Sequence, residues 1–245
     1  MKGELVFEPP LLNAAGSLGF APDPHHGVTL DGLGAFITSP ISLAPRRPAG
    51  GRSCLPCPGG FLLHSGYPNP GLRRAVQQYG PAWERAGLPV LVHLLCRTPD
   101  EVRLMVGKLE GRPGVAGLEL GLPPEAGAEL ARAMLQAALG ELPVALRLPL
   151  ERAAHLAQAC LDANLAPAAF SLGPPRGLLP APGGGLVAGR LYGPAVFPLA
   201  LAALRELVPL GLPVIGAGGV YQPAQAEAML ALGAAAVQLD AVLWR

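Results

Sequence analysis

The chain is predicted to be an α/β protein, a single (β/α)8 TIM barrel over residues 1–245 with the last outer helix missing. Three observations predict it. The length, 245 residues, matches one barrel, which needs roughly 250. Short apolar runs recur at nearly regular intervals, and Ala/Leu/Arg stretches of helical period lie between most of them. The runs are apolar throughout and do not alternate, as befits strands covered on both faces.

In chain order the apolar runs are residues 10–14, 35–38, 89–95, 116–122, 143–148, 168–172, 213–217 and 235–239. The predicted helices are 71–86, 99–110, 124–139, 151–164, 195–208 and 223–232. Thr98-Pro99-Asp100-Glu101 supplies an N-cap, a proline in the first turn and two carboxylates at the positive end of the helix dipole. Gln222-Pro223 opens the last helix in the same way. The stretch 41–67 is too long for a simple connection and is rich in Pro, Gly and Arg, so it is a candidate lid or wall over the barrel mouth. The chain stops about six residues past the eighth run, too soon for an eighth outer helix. Assembly is one way to cover that side, so a homo-oligomer or a hetero-subunit is expected.

A hydrophobic fraction of 51% supports a large core, while 14% charged residues and a net charge of +1 give no field for nucleic acid or an anionic membrane. No apolar run approaches the ~18 residues of a membrane span. Residues 1–7 carry Lys2 and Glu4 and no apolar leader core, so a cytoplasmic protein is expected. The 33 glycines and 29 prolines punctuate the apolar runs and form no low-complexity tract. Four cysteines make no disulfide framework.

Several segments, in order and over nearly the whole chain, resemble the dihydroorotate dehydrogenase family. They are Leu12-Asn13-Ala14-Ala15-Gly16, Gly34-Ala35-Phe36-Ile37-Thr38, Pro58-Gly59-Gly60, Gly66-Tyr67-Pro68-Asn69-Pro70-Gly71, Gly193-Pro194-Ala195, Val214-Ile215-Gly216-Ala217-Gly218-Gly219-Val220 and Ala236-Val237-Gln238. The resemblance implies an FMN barrel that oxidises dihydroorotate, with Ala15, Gly16, Arg147, Gly193, Gly218 and Gly219 as the cofactor-binding residues. The positions that carry the chemistry depart from it. The family's lysine after the second strand is Ser39 here, and its fifth-strand lysine is Arg147. With only Lys2 and Lys108 in the chain, no shifted alignment restores either. The family's asparagines fall at Leu63, Gly121 and Gly173, its Ser/Thr after the sixth strand at Pro174, and its Cys or Ser base at Pro124. Oxidation of dihydroorotate needs a base to take a proton from carbon while hydride leaves, and neither glycine nor proline offers one.

The resemblance also places a phosphate after strands seven and eight, on backbone N–H groups. Gly216-Ala217-Gly218-Gly219 keeps the first half of that cradle, and Arg190 in 189–193, read as a loop, offers a cation. The glycines are equally expected if the turn itself needs them. Where the family has Gly-Thr after the eighth strand, this chain has Asp240-Ala241, and a carboxylate disfavours a phosphate. Arg147 is expected either to face a ligand anion or flavin carbonyl, or to pair with Glu119.

Other candidates carry less. Cys54 and Cys57 form a CxxC in the long stretch without the partners of a zinc site, so a plain pair of loop cysteines is expected and no metal. His93 lies among apolar residues as a satisfied core histidine, and His25-His26 in a solvated loop. His64 lies near the barrel mouth, and Asp240 either serves chemistry or pairs with Arg190 or Arg147. The expectation is a divergent dihydroorotate dehydrogenase-like barrel, with FMN or another small phosphate-bearing ligand and no metal, and with the family's reaction altered or absent. The alternative is a non-catalytic relative that acts as a binding or subunit partner. New chemistry on His64, Arg147 and Asp240 is a third reading.

Overall fold

The computed structural model describes residues 5–23, 30–51, 53–181 and 183–244. The chain opens with β1 (Leu11–Asn13) and β2 (Phe36–Ile37), then a hairpin of β3 (Cys54–Cys57) and β4 (Gly60–Leu63). There follow α1 (Leu72–Glu84), β5 (Val90–Leu95), α2 (Pro99–Leu109), β6 (Val115–Gly121), α3 (Ala128–Ala138), β7 (Val144–Leu148) and α4 (Ala153–Asp162). The last part is β8 (Ala169–Leu172), a second hairpin of β9 (Arg176–Pro180) and β10 (Leu186–Tyr192), α5 (Phe197–Leu207), β11 (Val214–Ala217), α6 (Pro223–Ala231) and β12 (Ala236–Leu239), with a 3₁₀ turn at Ala241–Trp244.

Eight of these strands form one parallel sheet in the order β1-β12-β11-β8-β7-β6-β5-β2. A parallel bridge between Leu12 and Ala35, with Gly34 N–H donating to Leu11 O at 2.8 Å, joins its two ends and closes the barrel. The eight apolar runs are these eight strands, and the six predicted helices are α1 to α6. Thr98 Oγ1 accepts from Glu101 N–H at 3.3 Å, as its sequence context predicts. Gln222 and Gln225 form a reciprocal capping box around the start of α6.

Barrel strands bury both faces, so there are two cores. Phe36, Val92, Leu118, Leu146 and Phe170 point outward and meet Met105, Leu135, Leu156 and Leu204 from the helices. Inside the barrel Leu12, Ala35, Ile37, Leu91, Ala145, Ala169, Ile215 and Ala236 fill the N-terminal half, with Phe7 packed beside them.

The remaining four strands form an antiparallel sheet, β3-β4-β10-β9, over the C-terminal mouth. The long stretch read as a lid supplies half of it. The other half corrects the reading of 189–193 as a loop: β10 pairs with both β4 and β9, Arg190 lying opposite Leu63 and Arg176. Cys54 and Cys57 likewise lie at the two ends of strand β3 and not in a loop. They sit an odd number of positions apart, so their side chains leave opposite faces. His25 and His26 lie outside the described residues.

Candidate functional site

Above the apolar half of the barrel, five strands each contribute a polar residue to one buried layer. Glu119, fully buried on β6, is its centre. It receives hydrogen bonds from His93 Nδ1 on β5 (2.6 Å), Ser171 Oγ on β8 (2.9 Å) and Gln238 Nε2 on β12 (2.6 Å). Arg147 on β7 places Nη1 3.5 Å from the same carboxylate. Burial alone would raise the pKa of Glu119; the Arg147 guanidinium and the His93 and Gln238 hydrogen bonds outweigh it and bring it down to about 2. Burial lowers the pKa of His93, so the ring is neutral and its Nδ1 carries the proton donated to Glu119. His93 is the satisfied core histidine the sequence suggests.

The two sequence readings of Arg147 both describe part of it. One edge of the guanidinium pairs with Glu119, while Nε is buried without a hydrogen-bond partner. Nε lies 3.6 Å from where a Cβ on Gly173 would stand, and a Cβ on Gly121 would stand 2.8 Å from His93 Nε2. Both glycines occupy positions where the resemblance implies asparagine. Arg147 keeps its open donor beside one of them, and His93 fills the space at the other.

Arg147 borders a recess of about 100 Å³, whose walls also include His93, Gly121, Gly173, Tyr67 and Arg190. Arg190 is itself 7% exposed. Its guanidinium lies 3.8 Å over the Tyr67 ring, while Nε donates to Tyr192 Oη (3.2 Å) and Nη2 to Ser65 Oγ (3.1 Å). Two buried guanidiniums thus face one small recess, and Glu119, the carboxylate paired with Arg147, already accepts three hydrogen bonds.

The other candidate positions fall elsewhere. Ala15 and Gly16 border a separate recess of about 210 Å³ with Ser39, Tyr67, Arg190, Tyr192 and Trp244. Trp244 tilts against Tyr192 and Phe61 and donates Nε1–H to Ser17 O at 2.9 Å. Gly193 packs on the β3–β4 turn, where a Cβ would stand 2.2 Å from Gly59 O. Gly218 and Gly219 both have positive φ, and a Cβ on Gly219 would stand 2.3 Å from Phe197 N, at the start of α5. The turn therefore needs its glycines for conformation and close packing.

The glycine cradle does not fit a phosphate as it stands. Asp240 Oδ1 accepts the Ala241 N–H at 2.5 Å, and the Gly219 N–H also contributes to holding the carboxylate. Burial raises the pKa of Asp240. The side chain hydrogen-bonds to backbone and feels the Arg147 charge without forming an ion pair with Arg190 or Arg147, the pairing the sequence suggests, so the protein's own carboxyl group takes donors that a phosphate would use. The 210 Å³ recess beside Ala15 and Gly16 is also below the ~300–1,000 Å³ of ordinary cofactor sites.

His64, Arg147 and Asp240 do not meet. His64 Nδ1 lies 2.8 Å from Ala188 O and borders an outer groove, Arg147 borders the inner recess, and Asp240 borders neither. This removes the geometric basis for chemistry built on those three. Among the described residues no group of three His, Cys, Asp or Glu could hold a metal ion, and no helix is long and apolar enough to cross a membrane.

The hub role of Glu119 and the placing of Tyr67 at the recess escaped the sequence reading. A signal for the first exists: His93, Glu119, Arg147, Ser171 and Gln238 each stand near the C-terminal end of an otherwise apolar run.

Fold and site define an eight-stranded barrel with an arginine-lined recess at its C-terminal mouth, where barrel proteins place their ligands. No family model matches the chain. A protein of Desulforudis audaxviator named dihydroorotate dehydrogenase B (NAD(+)), catalytic subunit, is 30% identical over 259 residues, covering 95% of this chain and 82% of the relative. Proteins of the same name from Trichlorobacter lovleyi and Pelobacter propionicus are each 29% identical, covering 97% and 94% of this chain and 84% and 82% of their own lengths. The chain belongs to the dihydroorotate dehydrogenase family.

Proposed function

We propose that this chain is a divergent family member that binds a small anionic ligand against Arg147 and Arg190 and does not oxidise dihydroorotate. The buried Arg147 Nε carries the reading. It has no hydrogen-bond partner, and leaving a buried charged donor unsatisfied costs more than a neutral hydrogen bond is worth. A carboxylate or phosphate oxygen in the recess supplies the missing acceptor, and a planar guanidinium suits either. Against the family's reaction stands the loss of its own side chains: Gly121, Pro124, Gly173 and Pro174 offer no proton acceptor where the resemblance implies asparagines, a hydroxyl and the base. Kinship makes FMN a candidate ligand, and its phosphate would have to displace Asp240 from the Ala241 and Gly219 amides.

Thermal unfolding with added orotate, inorganic phosphate or FMN tests this directly. Orotate or phosphate at a hundred times its dissociation constant should stabilise the protein by about 2.7 kcal/mol. Arg147→Gln should abolish the effect. A yellow preparation that releases FMN and reduces an electron acceptor with dihydroorotate would overturn the proposal.

A second reading, a subunit of a larger assembly, has an observation of its own. Leu178 on β9 and Leu186 on β10 are 61% and 68% exposed on the lid hairpin, and the relatives are named as catalytic subunits. Size-exclusion chromatography with light scattering tests self-association, and a stable monomer counts against that form of it.

A further inference from the structure

The inner recess is small. At about 100 Å³ it holds an anionic head group and little else, whereas ligand sites usually enclose ~300–1,000 Å³. It shares Tyr67, Leu95, Pro123, Pro124, Arg176 and Arg190 with an outer groove of about 320 Å³. A ligand larger than a head group that enters the recess must therefore extend into the groove.

The groove is cationic. Arg46, Arg97, Arg176 and Arg190 border it, against one carboxylate, Glu125. Two further carboxylates approach its arginines on their backbone side only: Glu101 accepts from Arg97 N–H, and Glu151 accepts from Arg176 N–H. Among the described residues, no carboxylate lies within 4 Å of the Arg46, Arg97 or Arg176 guanidinium, although Arg46 Nε donates to Gly66 O at 3.1 Å. On a chain of net charge +1, such a concentration of one sign around a concave surface focuses positive potential there.

The neck between the two compartments is held in an unusual conformation. Tyr67 has φ +54, in the left-handed region that a bulky side chain seldom adopts. Its ring lies under Arg190, and both residues border both compartments. Backbone strain of this kind gathers at ligand clamps, where surrounding contacts over-determine it.

We infer that the ligand is an elongated small molecule carrying two anionic groups, one held by Arg147 and Arg190 in the recess and the other by Arg97 and Arg46 in the groove. This rests on the proposed anion site at Arg147. It adds the ligand's length, its second charge and the residues that select it.

The test compares two probes of matched length by calorimetry: 3-phosphoglycerate, which carries a carboxylate and a phosphate, and glycerol 3-phosphate, which lacks the carboxylate. The two-anion probe should bind at least tenfold more tightly. Arg97→Gln, at an exposed side chain, should remove most of that advantage, whereas Arg147→Gln should remove the binding of both probes. Arg46→Gln should act in the same direction. Equal affinities for the two probes, or a tenfold advantage that survives both substitutions, would overturn the two-anion inference and leave the anion site standing. If neither probe nor inorganic phosphate binds, the anion site itself falls, and this inference with it.

Discussion

The two halves of the barrel interior are filled on different principles. The N-terminal half is closed by volume: Leu12, Ile37, Leu91 and Ile215 interleave with the small Ala35, Ala145, Ala169 and Ala236. The C-terminal half is closed by charge and hydrogen bonding around Glu119, with Arg147, His93, Ser171 and Gln238 as partners. Substitution in the first half changes packing alone. In the second half, each donor depends on a single carboxylate, and one donor, Arg147 Nε, is left over. A surplus donor at the mouth and none below is how the structure separates scaffold from site.

The sharpest way to break this contrast is Glu119→Leu. It leaves the Arg147 charge without its partner and three hydrogen-bonding groups without an acceptor. Loss of one member of a buried pair costs about 3–5 kcal/mol, and urea unfolding should place this variant at the upper end. The double variant Glu119→Leu/Arg147→Met should recover part of the loss, because it removes the orphaned charge. No recovery would mean that the layer is held by shape and not by charge.

Leu91→Ala, in the apolar half, should cost about 3 kcal/mol through the cavity it leaves. It should leave phosphate binding at Arg147 unchanged. A fall in binding equal to that of Arg147→Gln would show that the halves are not independent.

Acid should act on the upper half alone. Glu119 is held ionised in the folded protein down to about 2, against an ordinary value of 4.5, so the unfolded chain binds the proton first as pH falls. The stability it contributes is therefore full above pH 4.5 and lost as pH falls towards 2. The loss is on the order of 3 kcal/mol. His93 adds to it from below pH 6.5, because its folded pKa is lowered and the unfolded chain again takes the proton. Unfolding free energies at pH 6.5, 4.5 and 3 should fall more steeply for the unmodified protein than for Glu119→Gln; equal slopes would remove Glu119 from the account.

The smallest effect is expected from restoring an asparagine at Gly121. Its Cβ would stand 2.8 Å from His93 Nε2, and the ring is held on its other side by Glu119. Gly121→Asn should cost about 1–3 kcal/mol, read as a lowered urea midpoint. The same variant with His93→Ala should relieve the clash, and failure to do so would place the strain elsewhere.

The barrel was readable because each parallel strand is apolar along its length, as Val90–Leu95 shows, and because caps such as Thr98 announce the helices. The lid was half readable. Residues 41–67 were conspicuous by length, but β10 pairs with β4 across the sequence, and no local pattern in Leu186–Tyr192 records that partnership. The site was legible as single residues and not as an arrangement. Arg147 and Glu119 were recognisable as a pair, whereas the meeting of four strands on one carboxylate depends on register. The Asp240 carboxylate was visible as an intrusion on the cradle, and its attachment to the Ala241 amide is a matter of backbone direction.

The lid has a bearing on when the protein becomes competent. His64 and Ala188, joined across β4 and β10, lie 124 positions apart in the chain. Contacts of such separation bear the largest loop-closure entropy and tend to assemble after local strand–helix units have formed. Tyr67 and Arg190 come together through that same pairing, so refolding should restore the far-ultraviolet helix signal before it restores the ability to hold an anion.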